Sequence, residues 1–277
     1  MRTLLLGVAA LSLSGCSFLG LGGHGHSDYD KNTGWYGQGA APSDCHSGTC
    51  LSRWNLEGGI GPSFTVGGDA VTGSQAAAGS GANIRNIDME DAFDTGLRLE
   101  LGGSYAVSPR TKITAMAYNE TADSSGTLDW GTINNQRLTG ALSDYEASGV
   151  ELGLRHYFPP QRAVLVKSVR PYIEGRVGAA YVNGIDVENV RLDGARVGTG
   201  TASFTDGGWA PSAAGLVGIE TPLTRYSTIG LETGIRWTDN TRSETGGLFN
   251  RSQPLAGVNN GGERVSVPLM LRGRYRF

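Results

Sequence analysis

The sequence predicts an all-β chain: an eight-stranded antiparallel up-and-down transmembrane β-barrel with a disordered N-terminal tether. Three observations carry this. From Arg53 onward, apolar and polar residues alternate with a period of two in eight separate segments, the mark of strands with two unlike faces. The connections between those segments are alternately short and long. Nothing after Gly20 approaches the ~20 consecutive apolar residues of a membrane helix, so a chain that spans a bilayer must do so as a closed barrel. The 277 residues include 44 Gly and 10 Pro, with 18% charged residues and a formal net charge of −3. Glycine is at about twice its usual ~7% share without a collagen-like period, which assigns it to turns and tight packing in a sheet. The near-neutral charge, with no Lys/Arg-rich stripe, leaves no footprint for nucleic acid.

Residues 1–15, 16–51 and 52–277 form three parts. Met1-Arg2-Thr3 is a positive start and Leu4 to Leu13 a short apolar run, the pattern of a secretory signal peptide. Its end, Leu13-Ser14-Gly15-Cys16, resembles the lipobox of bacterial lipoproteins. The resemblance implies cleavage and acylation at Cys16 by the lipoprotein-processing machinery. Because Ser17 follows, and not Asp, it also implies delivery to the outer membrane. An ordinary signal peptide with a chance cysteine is the plainer alternative. Several acyl chains, at ~0.8 kcal/mol per buried CH₂, give stable anchoring.

Residues 17–51, rich in Gly, Ser, Asp and His and without periodicity, read as a flexible periplasmic tether. Within it, Cys45 and Cys50 would close a small disulfide loop in an oxidising compartment. A metal reading would draw on His24, His26, Asp28, Asp30 and His46, whose spacing matches no zinc pattern. A third alternative is neither. No metal or cofactor is expected.

The eight segments follow in order. Residues 54–66 set Trp54, Leu56, Ile60, Phe64 and Val66 against Glu57, Gly59 and Thr65. Residues 96–107 set Leu97, Leu99, Leu101, Tyr105 and Val107 against Gly96, Arg98, Glu100 and Gly102. Residues 111–120 alternate more weakly. Residues 149–158 set Val150, Leu152, Leu154 and Phe158 against Glu151, Gly153 and Arg155, with His156 on the apolar face. Residues 171–181 set Ile173, Val177, Ala179 and Tyr181 against Glu174, Arg176 and Gly178. Residues 209–221 are weak again, and Leu216 falls among the polar residues without explanation. Residues 229–237 are the cleanest, with Ile229, Leu231, Thr233, Ile235 and Trp237 against Gly230, Glu232, Gly234 and Arg236. The last segment sets Val265, Val267, Leu269, Leu271, Tyr275 and Phe277 against Ser266, Arg272, Arg274 and Arg276.

Val107 to Thr111, Phe158 to Arg170 and Thr221 to Ser227 are short connections. Those near 67–93, 121–144, 184–208 and 239–262 are long, rich in Gly, Asn, Asp, Ser and Thr, and are expected to be mobile loops. An even strand count returns the chain to the side where it entered, the periplasmic side on which a lipidated Cys16 would sit.

Alternation does not decide which face is inside, since a soluble lipocalin-like barrel has the same pattern with its apolar face inward. Three features favour lipid outside. Glycine on the polar face makes room in an interior only wide enough for side chains. The apolar face carries almost no charge, as expected where an Arg or Lys costs ~2–4 kcal/mol at the bilayer midplane. Trp54, Tyr105, Phe158, Tyr181, Trp237, Tyr275 and Phe277 gather near strand ends, as interfacial girdles do, although core packing would explain any one of them.

The runs Gly149 to Phe158 and Arg170 to Tyr181, with the ending Arg274-Tyr275-Arg276-Phe277, resemble small outer-membrane β-barrel proteins of the OmpA-like and opacity-protein type over residues 52–277. The resemblance implies that Tyr275 and Phe277 belong to a C-terminal signal read by the barrel-assembly machinery. A lipobox departs from the plain signal peptide usual in that group.

The inward set would comprise Glu57, Glu100, Glu151, Glu174, Glu220 and Glu232, facing Arg98, Arg155, Arg176, Arg236, Arg272 and Arg274, with Lys112 a further cation. Balanced charge in a confined lumen points to an ion-pair network that plugs the barrel; charges lining a solute path are the functional alternative. Catalysis is not expected. Three of four histidines lie in the tether, and no Gly-x-Ser-x-Gly, phosphate-loop or His-Glu-x-x-His pattern occurs. Gly58-Gly59-Ile60-Gly61 is more simply a smooth strand wall than a phosphate cradle.

The expected function is a structural scaffold in outer-membrane lipid that presents loops for surface interaction or supports envelope integrity, through an envelope or extracellular protein partner. Asp88, Glu90 and Asp91 make the first loop acidic, and Arg242, Phe249 and Arg251 give the last a mixed surface. A narrow channel for small solutes and a lipid-anchored soluble periplasmic β-barrel binding a small ligand are the alternatives.

Overall fold

A computed structural model describes residues 45–46, 49–50, 53–73, 81–162, 168–197, 200–239, 258–259 and 261–276. Eight strands form its frame: β1 (Trp54–Gly67), β2 (Gly96–Ala106), β3 (Thr111–Ala122), β4 (Tyr145–Tyr157), β5 (Arg170–Val182), β6 (Gly208–Pro222), β7 (Ser227–Thr238) and β8 (Arg264–Arg276). Each pairs antiparallel with its sequence neighbours, and β8 pairs with β1, so the meander closes into a barrel. Closure leaves the barrel itself without a sheet edge. The strands run from 11 to 15 residues, enough for the ~9–11 that cross a bilayer at a tilt. Tight backbone bonds hold the short connections: Val107 N–H donates to Thr111 O at 3.1 Å, and Leu223 N–H to Ser227 O at 2.9 Å.

Side-chain burial is inverted relative to a water-soluble fold. On β4, Leu152 is 63% exposed, whereas Arg155 is 1% exposed three residues on. The same alternation runs round the wall, with Leu97, Leu99, Leu101, Ile173, Val177, Ile235 and Leu269 outward. Leu216 is at 2% exposure on the lumen side of β6, between Glu174 and Gly234 of the flanking strands. It is not a break in the alternation: Met116 and Met270 are also buried inward, so the lumen filling is partly apolar.

Glycine on the inner wall gives space to rings. A Cβ on Gly218 would lie 2.3 Å from the Tyr172 ring, and one on Gly149 2.7 Å from the Tyr118 ring. Those distances are impossible for packed carbon, so the tyrosines fill the lumen only where the opposing residue has no side chain.

The long connections are not simply mobile loops, which corrects that expectation for their described parts. Asp69–Val71 pairs with Ile87–Asp88 next to a one-turn helix, Met89–Ala92. A six-stranded sheet assembles from Ala82–Ile84, Thr127–Ile133, Gln136–Leu142, Ile185–Leu192, Ala195–Arg196 and Ala202–Thr205. Local chemistry builds it. Asn134 and Asn135, at φ 51° and 65°, make a two-residue turn of the type that matches strand twist. Asp193 and Gly194, at φ 47° and 83°, make a second. Gly131, at φ 110°, brings the neighbouring strand so close that a Cβ would sit 2.2 Å from Asn83 O. Beneath the sheet lies the main apolar core, with Val71, Met89, Phe93, Trp130, Leu138, Val187, Phe204 and Val258 buried over one end of the barrel. Trp130 and Phe204 meet edge to face at 5.4 Å.

Cys16, Phe277, Arg242, Phe249 and Arg251 lie outside the described residues. Cys45–His46 and Thr49–Cys50 pair antiparallel, with Cys45 and Cys50 opposite one another in register.

Candidate functional site

Period-two geometry sends one residue in two from every strand into the lumen, and the sequence places charge at those positions. Glu57, Glu100, Glu120, Glu151, Glu174, Glu220 and Glu232 are all buried there with Arg98, Arg155, Arg176, Arg236, Arg264, Arg272 and Arg274. Glu100 of β2 is the hub. Arg98 Nε reaches its Oε1 at 2.8 Å, Arg236 Nη2 the same oxygen at 2.6 Å, and Arg176 Nη1 its Oε2 at 2.9 Å; Arg272 Nη2 donates to Oε2 as well. Four strands thereby converge on one carboxylate.

The remaining contacts cross the lumen in layers. Towards the cap, Glu120 accepts from Arg98 at 2.8 Å and Arg264 at 2.7 Å. At mid-height, Arg236 Nη1 donates to both oxygens of Glu151, at 2.7 and 2.8 Å. Arg176 and Arg155 share Glu174, each at 2.7 Å, and Thr114 donates to it at 2.6 Å. Nearer the short turns, Glu57 lies 2.9 Å from Arg155 and accepts from Ser104 at 2.5 Å. Arg274 meets Glu220 at 2.7 Å and the Tyr157 hydroxyl at 2.5 Å. Each guanidinium offers a planar fork of donors, which suits it to join carboxylates on different strands.

Aromatic rings cover the ion pairs. Arg98 stacks 3.6 Å from the Tyr118 centroid, Arg264 4.3 Å from Tyr145 and Arg155 4.7 Å from Tyr172. Tyr172 also donates to Glu232 at 2.8 Å. Lys112 and Arg170 sit at the short-turn mouth, where Arg170 Nη2 donates to Pro109 O at 2.8 Å. A pocket lined by Glu57, Arg155, Tyr172, Glu220 and Arg272 has a volume of about 10 Å³, room for about one water.

The twelve acids and arginines read from the sequence as inward therefore lie in one connected cluster. Glu120 and Arg264 are further members that the reading missed. Lys112, Thr114, Met116, Tyr118 and Glu120 do alternate inward on β3, but Ala115 and Ala117 on the outer face give too little apolar contrast to mark the pattern. His156 is on the outer wall, against Phe158, with Nδ1 3.4 Å from Thr111 Oγ1. Among the described residues no group of three or more His, Cys, Asp or Glu side chains is arranged to hold a metal ion, and no helix is long and apolar enough to cross a membrane.

The outer wall is the second part of the site. Its apolar band ends in rings on both sides. Trp54 and Tyr105 meet at a tilt, 4.9 Å apart, beside Tyr275 at the short-turn end, and Tyr181 and Trp209 meet at 5.6 Å near the cap. Amphipathic rings are favoured where hydrocarbon meets headgroups.

Outside the barrel, Asp129 anchors the cap hairpin. Gly131 N–H donates to it at 3.1 Å, and this bond, with Arg137 and Arg85 nearby, holds its carboxyl below the usual aspartate range.

These features define a closed eight-stranded β-barrel with an apolar exterior, a charge-filled lumen and a folded cap. No protein-family model and no curated relative matches the chain. Some solved structures are similar to the chain. Neisserial surface protein A is 11% identical, with 83% of this chain aligned to all of that one at a TM-score of 0.40. The outer membrane protein OprG from Pseudomonas aeruginosa is 16% identical over 81% of this chain and 95% of that one, also at 0.40. Ail, the attachment invasion locus protein of Yersinia pestis, is 11% identical over 81% and 99%, at 0.36.

Proposed function

We propose that the chain is an outer-membrane β-barrel lipoprotein, acylated at Cys16, with both ends of the barrel on the periplasmic side and the cap outside the cell. It acts as a sealed, non-catalytic scaffold: the barrel holds the cap as a platform for surface contact or envelope support. The observation that carries this reading is the lumen itself, crossed at several levels by guanidinium–carboxylate contacts centred on Glu100. A lumen filled in this way has no open path, so the barrel's use lies in what it carries. Arg53 and Arg276 stand at the same end, within reach of a tether from Cys16.

Planar-bilayer recording of the purified protein is the central test, with no steady conductance expected. Large, steady single-channel currents would overturn the plug and favour a narrow solute channel. Heat-modifiable migration on gels is expected for the folded barrel. A monodisperse protein in water after removal of acyl chains and detergent would overturn the membrane reading and leave a lipid-anchored soluble β-domain. Acyl labelling is expected in the native chain and lost in Cys16→Ala. Removal of residues 127–142 should leave barrel migration intact and abolish a surface phenotype if the cap is the binding platform.

A further inference from the structure

We propose that the short-turn end of the barrel binds the headgroups of anionic phospholipids through a collar of arginines: Arg53, Arg110, Arg162, Arg225 and Arg276. The inference rests on the membrane reading above and names the lipid class that this end recognises.

The collar follows from position. Arg53 and Arg276 flank the β8–β1 seam, Arg110 lies in the β2–β3 turn, Arg162 in the β4–β5 connection and Arg225 in the β6–β7 turn. Each of the three hairpin connections at this end thus contributes one guanidinium, and the seam that closes the barrel contributes two. Arg110, Arg162 and Arg225 are exposed. Among the described residues of these connections there is no aspartate or glutamate, and the lumen mouth adds Lys112 and Arg170. The opposite end is reversed. Acids dominate the cap connections, and the described arginines there are Arg85, Arg137, Arg191 and Arg196, all on its sheet or next to it.

Like charges spaced round a rim repel one another. The depth of the collar points to the occupant. The arginines lie just beyond the ring of Trp54, Tyr105 and Tyr275, where the apolar wall ends, and Arg225 sits 5.7 Å from the centroid of Tyr226. A protein partner would meet one side of such a rim; a lipid shell meets every side. Phosphate oxygens accept from guanidinium forks, and anionic headgroups attract cationic side chains at the interface by ~1 kcal/mol per residue.

The test uses the full mature protein in phosphatidylcholine bilayers, with spin-labelled phosphatidylglycerol or phosphatidylcholine as a minority probe. The motionally restricted fraction of each probe reports the lipid at the barrel wall. One arginine contact per lipid corresponds to about fivefold preference for phosphatidylglycerol. The preference should fall towards parity in R110Q/R162Q/R225Q, persist in R110K/R162K/R225K, and decline in the native protein as salt is raised. Equal restriction of both probes by the native protein would overturn the proposal and leave the collar to an acidic macromolecule. An undiminished preference in the glutamine variant would also overturn it. Should that variant fail to assemble, the salt series decides, since a preference insensitive to salt is not electrostatic. Restriction of neither probe would instead refute the membrane reading itself.

Discussion

The guanidinium of Arg236, on β7, lies 2.6 Å from Glu100 Oε1 on β2, a contact made across the lumen between strands that are not neighbours in the sheet. Glu100 also accepts from Arg98, Arg176 and Arg272, so its charge balances guanidiniums held by four strands. Removing one partner of a buried ion pair leaves an uncompensated charge, typically at a cost of about 3–5 kcal/mol. Glu100→Gln should therefore lower barrel stability by about that amount, read as an earlier urea midpoint for loss of heat-modifiable migration. A midpoint unchanged from the native protein would mean that water, and not the hub, carries these charges.

Gly218 tests the filling of the lumen by rings. Its Cβ position is occupied by the Tyr172 ring, which is fixed in turn by the hydrogen bond to Glu232. Gly218→Val should cost about 1–3 kcal/mol by overpacking. Tyr172→Leu in the same chain should recover part of the loss, because the smaller side chain vacates that space. Simple additivity of the two changes would argue that the residues do not meet.

The outer wall makes the opposite prediction. Leu152 is exposed at the middle of β4, where an arginine would face hydrocarbon. Leu152→Arg should destabilise the barrel by about 2–4 kcal/mol in a bilayer. The same change in a water-facing strand would be nearly neutral. Refolding titrations into vesicles measure the difference, and a neutral result would contradict the assignment of this face to lipid.

The cap should respond to acid separately from the barrel. The Gly131 N–H, with Arg137 and Arg85, holds the Asp129 carboxyl lower in the folded cap than in the unfolded chain. Its stabilising contribution is therefore complete above the ordinary aspartate range and is lost as pH falls through the lowered folded value. Amide hydrogen exchange in residues 127–142 should accelerate over that acid window in the native protein. In Asp129→Asn it should lack this component. Equal acid response in both would exclude Asp129 as the group involved.

Much of this architecture was legible in the sequence, for a reason visible in β7. Leu231 and Ile235 alternate with Glu232 and Arg236, and a strand can present such a series only by sending the two sets to opposite faces. The pairing of short turns with long connections then set the order of a meander. The cap was harder to read because its strands are short and bulged, with register shifts at Leu138/Thr139 and Thr139/Ala141 that break the period before it accumulates. Its turn chemistry was nevertheless present as Asn134-Asn135 and Asp193-Gly194, dipeptides suited to two positive φ values in succession.

Alternation along the chain thus determined the number of barrel strands, their faces and most of the residues destined for the lumen, because it is a property of a single extended segment. Which carboxylate meets which guanidinium was decided only by closure of the barrel. Glu100 is 136 residues from Arg236, and no local rule relates them until eight strands fix the wall. Closure also gave Leu216 its place: an apolar side chain among charges is anomalous on a strand and ordinary in a packed lumen, where volume and contact decide its neighbours.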